Sequence, residues 1–499
     1  MCEPLCRRIF TRAVGAVNPT LLVTGVLGRL VTRSGGRDCL RVKESEEWPL
    51  DRNVHVVAFG KCALAMCRGV QTNPTLDRHL VRGIASVPVG AFDQMRKAGL
   101  EDHLPNVNDD RWSFREGAAH NLPDQAAVKT AMEIAAEASS LGEDDILLAL
   151  ISGGGSALLP APVEGISLEE KLRTIAALQN QGASIEQLNT VRRAISRLKN
   201  GGLAREAAPA KVLSLLISDA IGDPLEVIAS GPTFTAPSLP SHDALDVVDK
   251  LHCREAIPAS VREFLMDNSK RAVVKEAPLS KPPINLVIGN SQRALEAAKL
   301  AALEEGATEA VVVSSTIVGE ARDLGAAYAR LLRRILAGTL EADVADVLPV
   351  LPDPKALREA VARRRRDGGR LVLVWGGEST VKVRGAGRGG RNQETALAFL
   401  RECAADVASA LEGVADVAFL SGGTDGQDGP TSAAGAVVDK EAILTAVELR
   451  EGMDAALEAN GSFEFFSQFR KGASQLVTGL TGTNVMDVAC MAVDFGASD

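Results

Sequence analysis

Aromatic side chains make up only 3% of this chain, and basic residues do not outnumber acidic ones: 55 Lys and Arg stand against 64 Asp and Glu, a formal net charge of −9. A nucleic-acid partner calls for stacking platforms or clustered cations facing phosphates, and neither is present. The one basic run, "RRRR" at 363–366 beside "LREAVA", reads as a solvated helix face. The eight cysteines contain no CxxC pair and the six histidines do not cluster with them. That removes a zinc site and a disulfide framework, and it fits a reducing compartment. Long apolar runs are also missing, so no membrane span is expected. The N-terminal stretch, Arg-containing and poor in acid, has some transit-peptide character, but "IFTRAVGAVNPTLLVTGVLGRLV" reads better as structured helix. Cytoplasm is the expected location, with a mitochondrial form left open. The oligomeric state, monomer or homodimer, is not legible.

What is present is an α/β pattern. With 499 residues, 46% hydrophobic and 24% charged, the chain has length for two or three domains and a large core. Short β-branched runs recur: "VHVVAFGK" (54–61), "ILLALISGGGS" (146–156), "VLSLLISDAIGD" (212–223), "NLVIGNS" (285–291), "LVLVWGGES" (371–379) and "VAFLSGGTDG" (417–426). Continuous apolar runs suit strands buried on both faces, as in a parallel sheet. Helical segments lie between them. Ser167 to Glu170 and Ser184 to Gln187 have capping-box spacing, with Gly182 and Gly201 placed where those helices should stop. The charged, proline-bearing stretch 267–283 reads as a linker between an N-terminal domain, 1–266, and a C-terminal α/β domain, 284–499.

The chemistry falls on the loops that close the apolar runs, where open α/β sheets bind ligands. "SGGGSALLP" offers Gly153, Gly154 and Gly155 flanked by the hydroxyls of Ser152 and Ser156, a nest for phosphate oxygens or simply a glycine turn. Lys61 follows a strand beside Gly60, outside any Walker A spacing. Asp219 closes another strand, and Asp223 beside Pro224 reads first as a turn residue. "GAGRGGRNQE" (385–394) formally satisfies GxGxxG, but Arg388 and Arg391 are foreign to a dinucleotide turn. They read better as anion ligands at a helix start, with Gly389 and Gly390 admitting phosphate and Glu378 orienting an arginine. "SGGTDGQDGPTSAAGA" (421–436) sets Asp425 and Asp428 among glycines, carboxylates for Mg²⁺ or for a substrate hydroxyl.

"SGGGSALLPAP", "LNTVRRAISRLKNGGLA", "ISDAIGDPLEVIASGPT", "GGESTVKVRGAGRGGRNQE", "LSGGTDGQDGPTSAAGA" and "TGLTGTNVMDV" together resemble the class of glycerate kinases that ends in a MOFRL domain, in wording nearest its animal members. The resemblance implies a Rossmann-like N-terminal domain, a distinct C-terminal α/β domain with the MOFRL region at about 370–490, and an active site between them. It implies ATP- and Mg²⁺-dependent phosphorylation of D-glycerate to 2-phosphoglycerate or 3-phosphoglycerate. By position it points to Lys61 and Arg391 as the basic catalytic residues and Asp219 as their acidic partner. For that chemistry Asp219 reads as proton acceptor or Mg²⁺ ligand, Asp425 as a ligand of Mg²⁺ or of a hydroxyl, and the Ser152 to Ser156 loop as phosphate-binding. "GLTGTNVMD" departs from the "GPTGTNVND" usual in bacterial members. Two competing readings are an NAD-dependent 2-hydroxy-acid oxidoreductase resting on GAGRGG, and a non-catalytic small-molecule sensor.

Overall fold

The computed structural model describes residues 1–235, 243–267, 279, 281–340, 345–347 and 349–497. They pack as two units, Pro19–Ile288 and a second made of Met1–Asn18 with Gly289–Asp499. In the first unit a three-stranded antiparallel sheet, β1 (Val31–Ser34), β2 (Arg37–Lys43) and β3 (Glu46–Pro49), precedes the main one. The main sheet holds β4 (Val54–Phe59), β5 (Leu80–Pro88), β6 (Trp112–Gly117), β7 (Ile146–Ile151), β8 (Lys211–Ile217) and β9 (Ile284–Gly289). Their order is β6-β5-β4-β7-β8-β9, and β4 through β8 pair in parallel.

Counted within that sheet, the order is 3-2-1-4-5-6, the Rossmann arrangement, with its switch point between β4 and β7. Every residue of β7 is buried, as is all of β4 except His55. Covering on both faces is what made these strands read as unbroken apolar runs. Both capping boxes form, on the helices Leu168–Asn180 and Ile185–Ala194. The second helix stops well before Gly201, which instead takes a left-handed φ as the N-cap of Gly202–Glu206. The residues between form an irregular turn.

The second unit contains β10 (Glu309–Glu320), β11 (Gly368–Thr380), β12 (Asp416–Gly423), β13 (Gly435–Asp439), β14 (Gln475–Leu476) and β15 (Asp487–Ala497), in the order β10-β11-β15-β12-β13-β14. Among the described neighbours only β10 and β11 pair in parallel; β15 lies antiparallel to both β11 and β12, and β13 is antiparallel to β12. The parallel pairing suggested by "LVLVWGGES" and "VAFLSGGTDG" therefore holds for β11 on one side and fails for β12. A continuous apolar run reports burial of both faces and says nothing of direction. Because β15 separates them, β11 and β12 run the same way, and both end where β15 begins at Asp487.

The units depart from the expected ranges at two places. β9 extends the first sheet, so the division comes at Ile288 and Gly289 rather than at 267–283, most of which lies outside the described residues. The N-terminal helix Cys2–Gly15 belongs to the second unit, where it packs against β12 and β15. Leu5, Cys6, Ile9, Phe10 and Ala13 are fully buried there, and Gly422 on β12 leaves the room that the Phe10 ring occupies. The "RRRR" run is spent locally: Arg363 and Arg364 pair with Glu309, Arg365 donates to the carbonyls of Ile335 and Leu336, and Arg366 pairs with Asp367. Phe10→Ala should cost about 3–5 kcal/mol through the cavity it leaves. Leu21→Ala, at a position 63% exposed, should stay within about 0.5 kcal/mol. Urea denaturation of the two variants measures both.

Candidate active site

At the switch point the exits of β4 and β7 nearly touch. Gly60 has φ +129°, and a Cβ there would overlap Ser152, so no other residue fits. The Lys61 N–H donates to the Gly153 carbonyl at 2.8 Å, and the Cys62 N–H donates to Ser152 Oγ at 3.0 Å. Asp219 follows β8, and a Cβ on Gly153 would overlap its carboxylate. A Cβ on Gly154, whose φ is +78°, would come within 3.2 Å of both Lys61 Cγ and Asn121 Oδ1. Lys61, Asp219 and Asn121 thus converge on the Gly153–Gly154 backbone.

Two expectations about this loop change. Ser152 is wholly buried and its Oγ anchors the Lys61 turn, while Ser156 Oγ hydrogen-bonds Ser230 Oγ at 2.8 Å. Both hydroxyls hold the loop in shape. Gly155 serves packing, since a Cβ there would press on Ala229 at 2.8 Å. The same end of the sheet collects non-glycine residues with left-handed φ: Ala118, His120, Asn121, Asp223, Ala229 and Ser230. Backbone conformations of this kind are costly and concentrate at functional sites.

In the second unit the helix Arg391–Asp406 begins beside the ends of β11 and β12. Arg391 Nε and Nη2 donate to the two oxygens of Asp487 at 2.7 and 2.9 Å, and Nη1 lies 3.2 Å from Glu378. Burial works against the charge of Arg391, but Asp487 foremost and Glu378 next outweigh it, holding the guanidinium protonated more firmly than usual. Asn392 Nδ2 donates to Asp487 at 2.9 Å and Ser421 Oγ donates to Asn392 Oδ1 at 2.6 Å. Asp487, which locks the arginine fork, was missed in the sequence; the signal available was its place closing "GLTGTNVMD". The residue before it, Met486, has φ +71°. Asparagine takes that conformation more cheaply.

The other residues of the two glycine loops fall elsewhere. Arg388 pairs with Glu464 at 2.9 Å and lies over the Phe463 ring, apart from Arg391. Gly385 and Gly387 press against the backbone of Ala459 and Gly461, Gly389 against Ser462 and Gly390 against Asp428. Close packing accounts for these glycines, which removes the observation behind both a dinucleotide turn and a phosphate site at Gly389 and Gly390. Asp428, 2% exposed, accepts the N–H groups of Asn392 and Gln393 at 3.0 and 2.8 Å. The helix N-terminus expected to receive an anion is filled by this carboxylate. Asp425 Oδ1 accepts the Gln427 N–H at 3.1 Å in an Asx turn. Among the described residues no group of three or more His, Cys, Asp and Glu could hold a metal ion unaided, and no single helix is long and apolar enough to cross a membrane.

Residues 5–266 match the model of a domain of unknown function, and residues 371–487 match that of the MOFRL family. The chain is 41% identical over 97% of its length to a glycerate kinase of Danio rerio, covering 96% of that protein. It is 36% identical to a D-glycerate 2-kinase of Thermotoga maritima, with 88% of this chain and 90% of the relative aligned. A crystal structure of a glycerate kinase from Thermotoga maritima matches with a TM-score of 0.74 at 32% identity, covering 99% of both chains.

Asp428→Ala would leave the buried N–H groups of Asn392 and Gln393 without an acceptor, and should cost about 1–3 kcal/mol in urea at neutral pH. Burial raises the Asp428 carboxyl from 3.8 to about 6 against the pull of its donors, with Asp487 adding to the rise. Its folded form binds the proton more tightly than its unfolded form. Stability from this group is therefore fully present below pH 3.8 and lost as pH rises through about 6. The variant should lack that part of the pH–stability slope.

Proposed function

The chain belongs to the glycerate kinase family that carries a MOFRL domain, and we propose that it transfers the γ-phosphoryl group of ATP to D-glycerate, giving 2-phosphoglycerate, with Lys61, Asp219 and Arg391 as its working charges. The observation that carries this reading is the convergence of Lys61 and Asp219 on the Gly153–Gly154 backbone at the Rossmann switch point. Phosphoryl transfer asks little covalent chemistry of a protein and much positioning and charge stabilisation. A cation and a carboxylate set on one glycine turn provide both: Lys61 neutralises charge on the transferring group, and Asp219 accepts the proton of the attacking hydroxyl.

Arg391 has two of its donors committed to Asp487, which fixes the direction of the guanidinium. Nη1 pairs with Glu378 at 3.2 Å on a half-exposed strand end, so an anionic group of the substrate would meet Arg391 there by displacing that carboxylate. The residues of the first unit also fit Mg²⁺ carried on the nucleotide. That ion keeps several waters and takes one or two carboxylates beside phosphate oxygens, and Asp219, on the turn beside Lys61, would be such a carboxylate. When bound, it offsets the charge of the phosphates. The oxidoreductase reading has lost the glycine turn on which it rested.

Purified protein given ATP, Mg²⁺ and D-glycerate should release ADP, with 2-phosphoglycerate identified by phosphorus NMR; NADH formation from NAD without ADP release would contradict the proposal. Asp219→Asn should lower turnover by roughly 10²–10⁴-fold at an unchanged thermal midpoint. Recovery of turnover on raising Mg²⁺ would make Asp219 a metal ligand and reassign the proton.

A further inference from the structure

Beside the glycine loop the first unit gathers three cations, Lys171 and Lys199 buried and Arg192 half-buried, with no carboxylate of the described residues among them. Lys171 stands on the helix Leu168–Asn180, Arg192 on Ile185–Ala194, and Lys199 in the irregular turn that follows. Lys171 is 6% exposed and Lys199 5%. All three line one cavity of about 400 Å³ together with Asn189, Gly154 and Ser156, and among the described residues no Asp or Glu lines it. Lys171 Nζ donates to Ser196 Oγ, and Arg192 Nη1 donates to Asn189 Oδ1 at 3.3 Å. Among the described residues the Lys199 ammonium group has no hydrogen-bond or ion-pair partner.

Burial of a cation is costly unless a counter-charge offsets it, and here the neighbours add repulsion. Burial, then repulsion from Lys199 and Arg192, holds the Lys171 ammonium well below its ordinary range. Burial, then Arg192, pulls Lys199 down to about 8. The half-buried Arg322 and Arg391, by contrast, are matched by Glu394 and Asp487. An unmatched cluster opening on a cavity is what remains of an ion-pair network whose anion is the ligand.

We propose that this cavity receives the phosphate chain of the nucleotide, with Lys171, Arg192 and Lys199 as its counter-charge. The proposal rests on the kinase reading for the identity of the ligand. Three cations suit a chain of phosphates, where a single carboxylate would be served by one arginine fork. The volume falls within the roughly 300–1,000 Å³ typical of small-molecule sites, and Leu168, Leu172 and Ile175 give the cavity an apolar wall beside its charged groups. Gly154 belongs both to this cavity and to the turn where Lys61 and Asp219 meet, so a phosphate chain lying here has its end near those groups.

The test uses Lys171→Met and Lys199→Met, which keep the length of the side chain and remove its charge. Calorimetry with ATP, and steady-state kinetics with ATP and D-glycerate, should show ATP binding weakened about 10- to 100-fold and its KM raised, with the KM for D-glycerate little changed. Because each variant loses an unmatched buried charge, its ligand-free thermal midpoint should equal or exceed that of the wild type. On the wild-type protein, inorganic triphosphate should raise the thermal midpoint and compete with ATP, a measurement that depends on no variant. Unchanged ATP affinity in both variants, no effect of triphosphate, or a rise confined to the KM for D-glycerate overturns the proposal. Loss of ATP binding in the variants of a wild type that binds ATP but never phosphorylates glycerate would leave the cavity assigned and sink the kinase reading instead.

Discussion

The distance of closest approach between the exits of β4, β7 and β8 governs the chemistry of the first unit. Adjacent strands in a parallel sheet are about 4.8 Å apart, and side chains on their exit turns would normally hold the loops away from one another. Gly60 lets the β4 exit lie against Ser152, and Gly153 lets the Asp219 carboxylate lie against the β7 exit. The Lys61 and Cys62 N–H groups are then satisfied by the β7 turn itself. A lysine and an aspartate 158 positions apart in the chain thereby share one turn, and the buried Ser152 hydroxyl is the fastener rather than a ligand.

The two units handle buried charge in opposite ways. Around Arg391 the account is complete: Asp487 and Glu378 face the guanidinium, Asn392 and Ser421 extend the network, and Asp428 satisfies the helix N-terminus. Such a network fixes geometry, since breaking one member leaves the others unsatisfied. Around Lys171, Arg192 and Lys199 the network is open, because none of the described residues lining the cavity is acidic. A closed network suits orientation, and an open one suits the capture of an anion.

Much of this was legible along the chain because it is local. The strands at 54–59, 146–151 and 211–217, the two capping boxes and the glycine-bearing exits all declare themselves within a few residues. What stayed hidden is carried by distant partners. Asp428 looked like a candidate for metal or hydroxyl binding because its donors, Asn392 and Gln393, lie on another segment. The glycines of "GAGRGG" looked like a nucleotide turn because nothing nearby announces their packing on 459–461. The antiparallel β15 between β11 and β12 was invisible because burial on two faces leaves the same apolar pattern whichever way the neighbouring strand runs. Lys171 and Lys199 sit in sequences that read as ordinary helix and turn, and only burial without a carboxylate sets them apart.

The glycine at 153 lets the Asp219 carboxylate lie on the turn that holds Lys61. Gly153→Ala tests it most directly, because a methyl group there must push aside the far end of a side chain and leaves the sheet in place. The measurement is glycerate-dependent ADP release at saturating ATP, alongside the thermal midpoint. The account predicts a protein that folds with nearly its wild-type midpoint and turns over at least about 10²-fold more slowly. Wild-type turnover in a folded Gly153→Ala protein would contradict it.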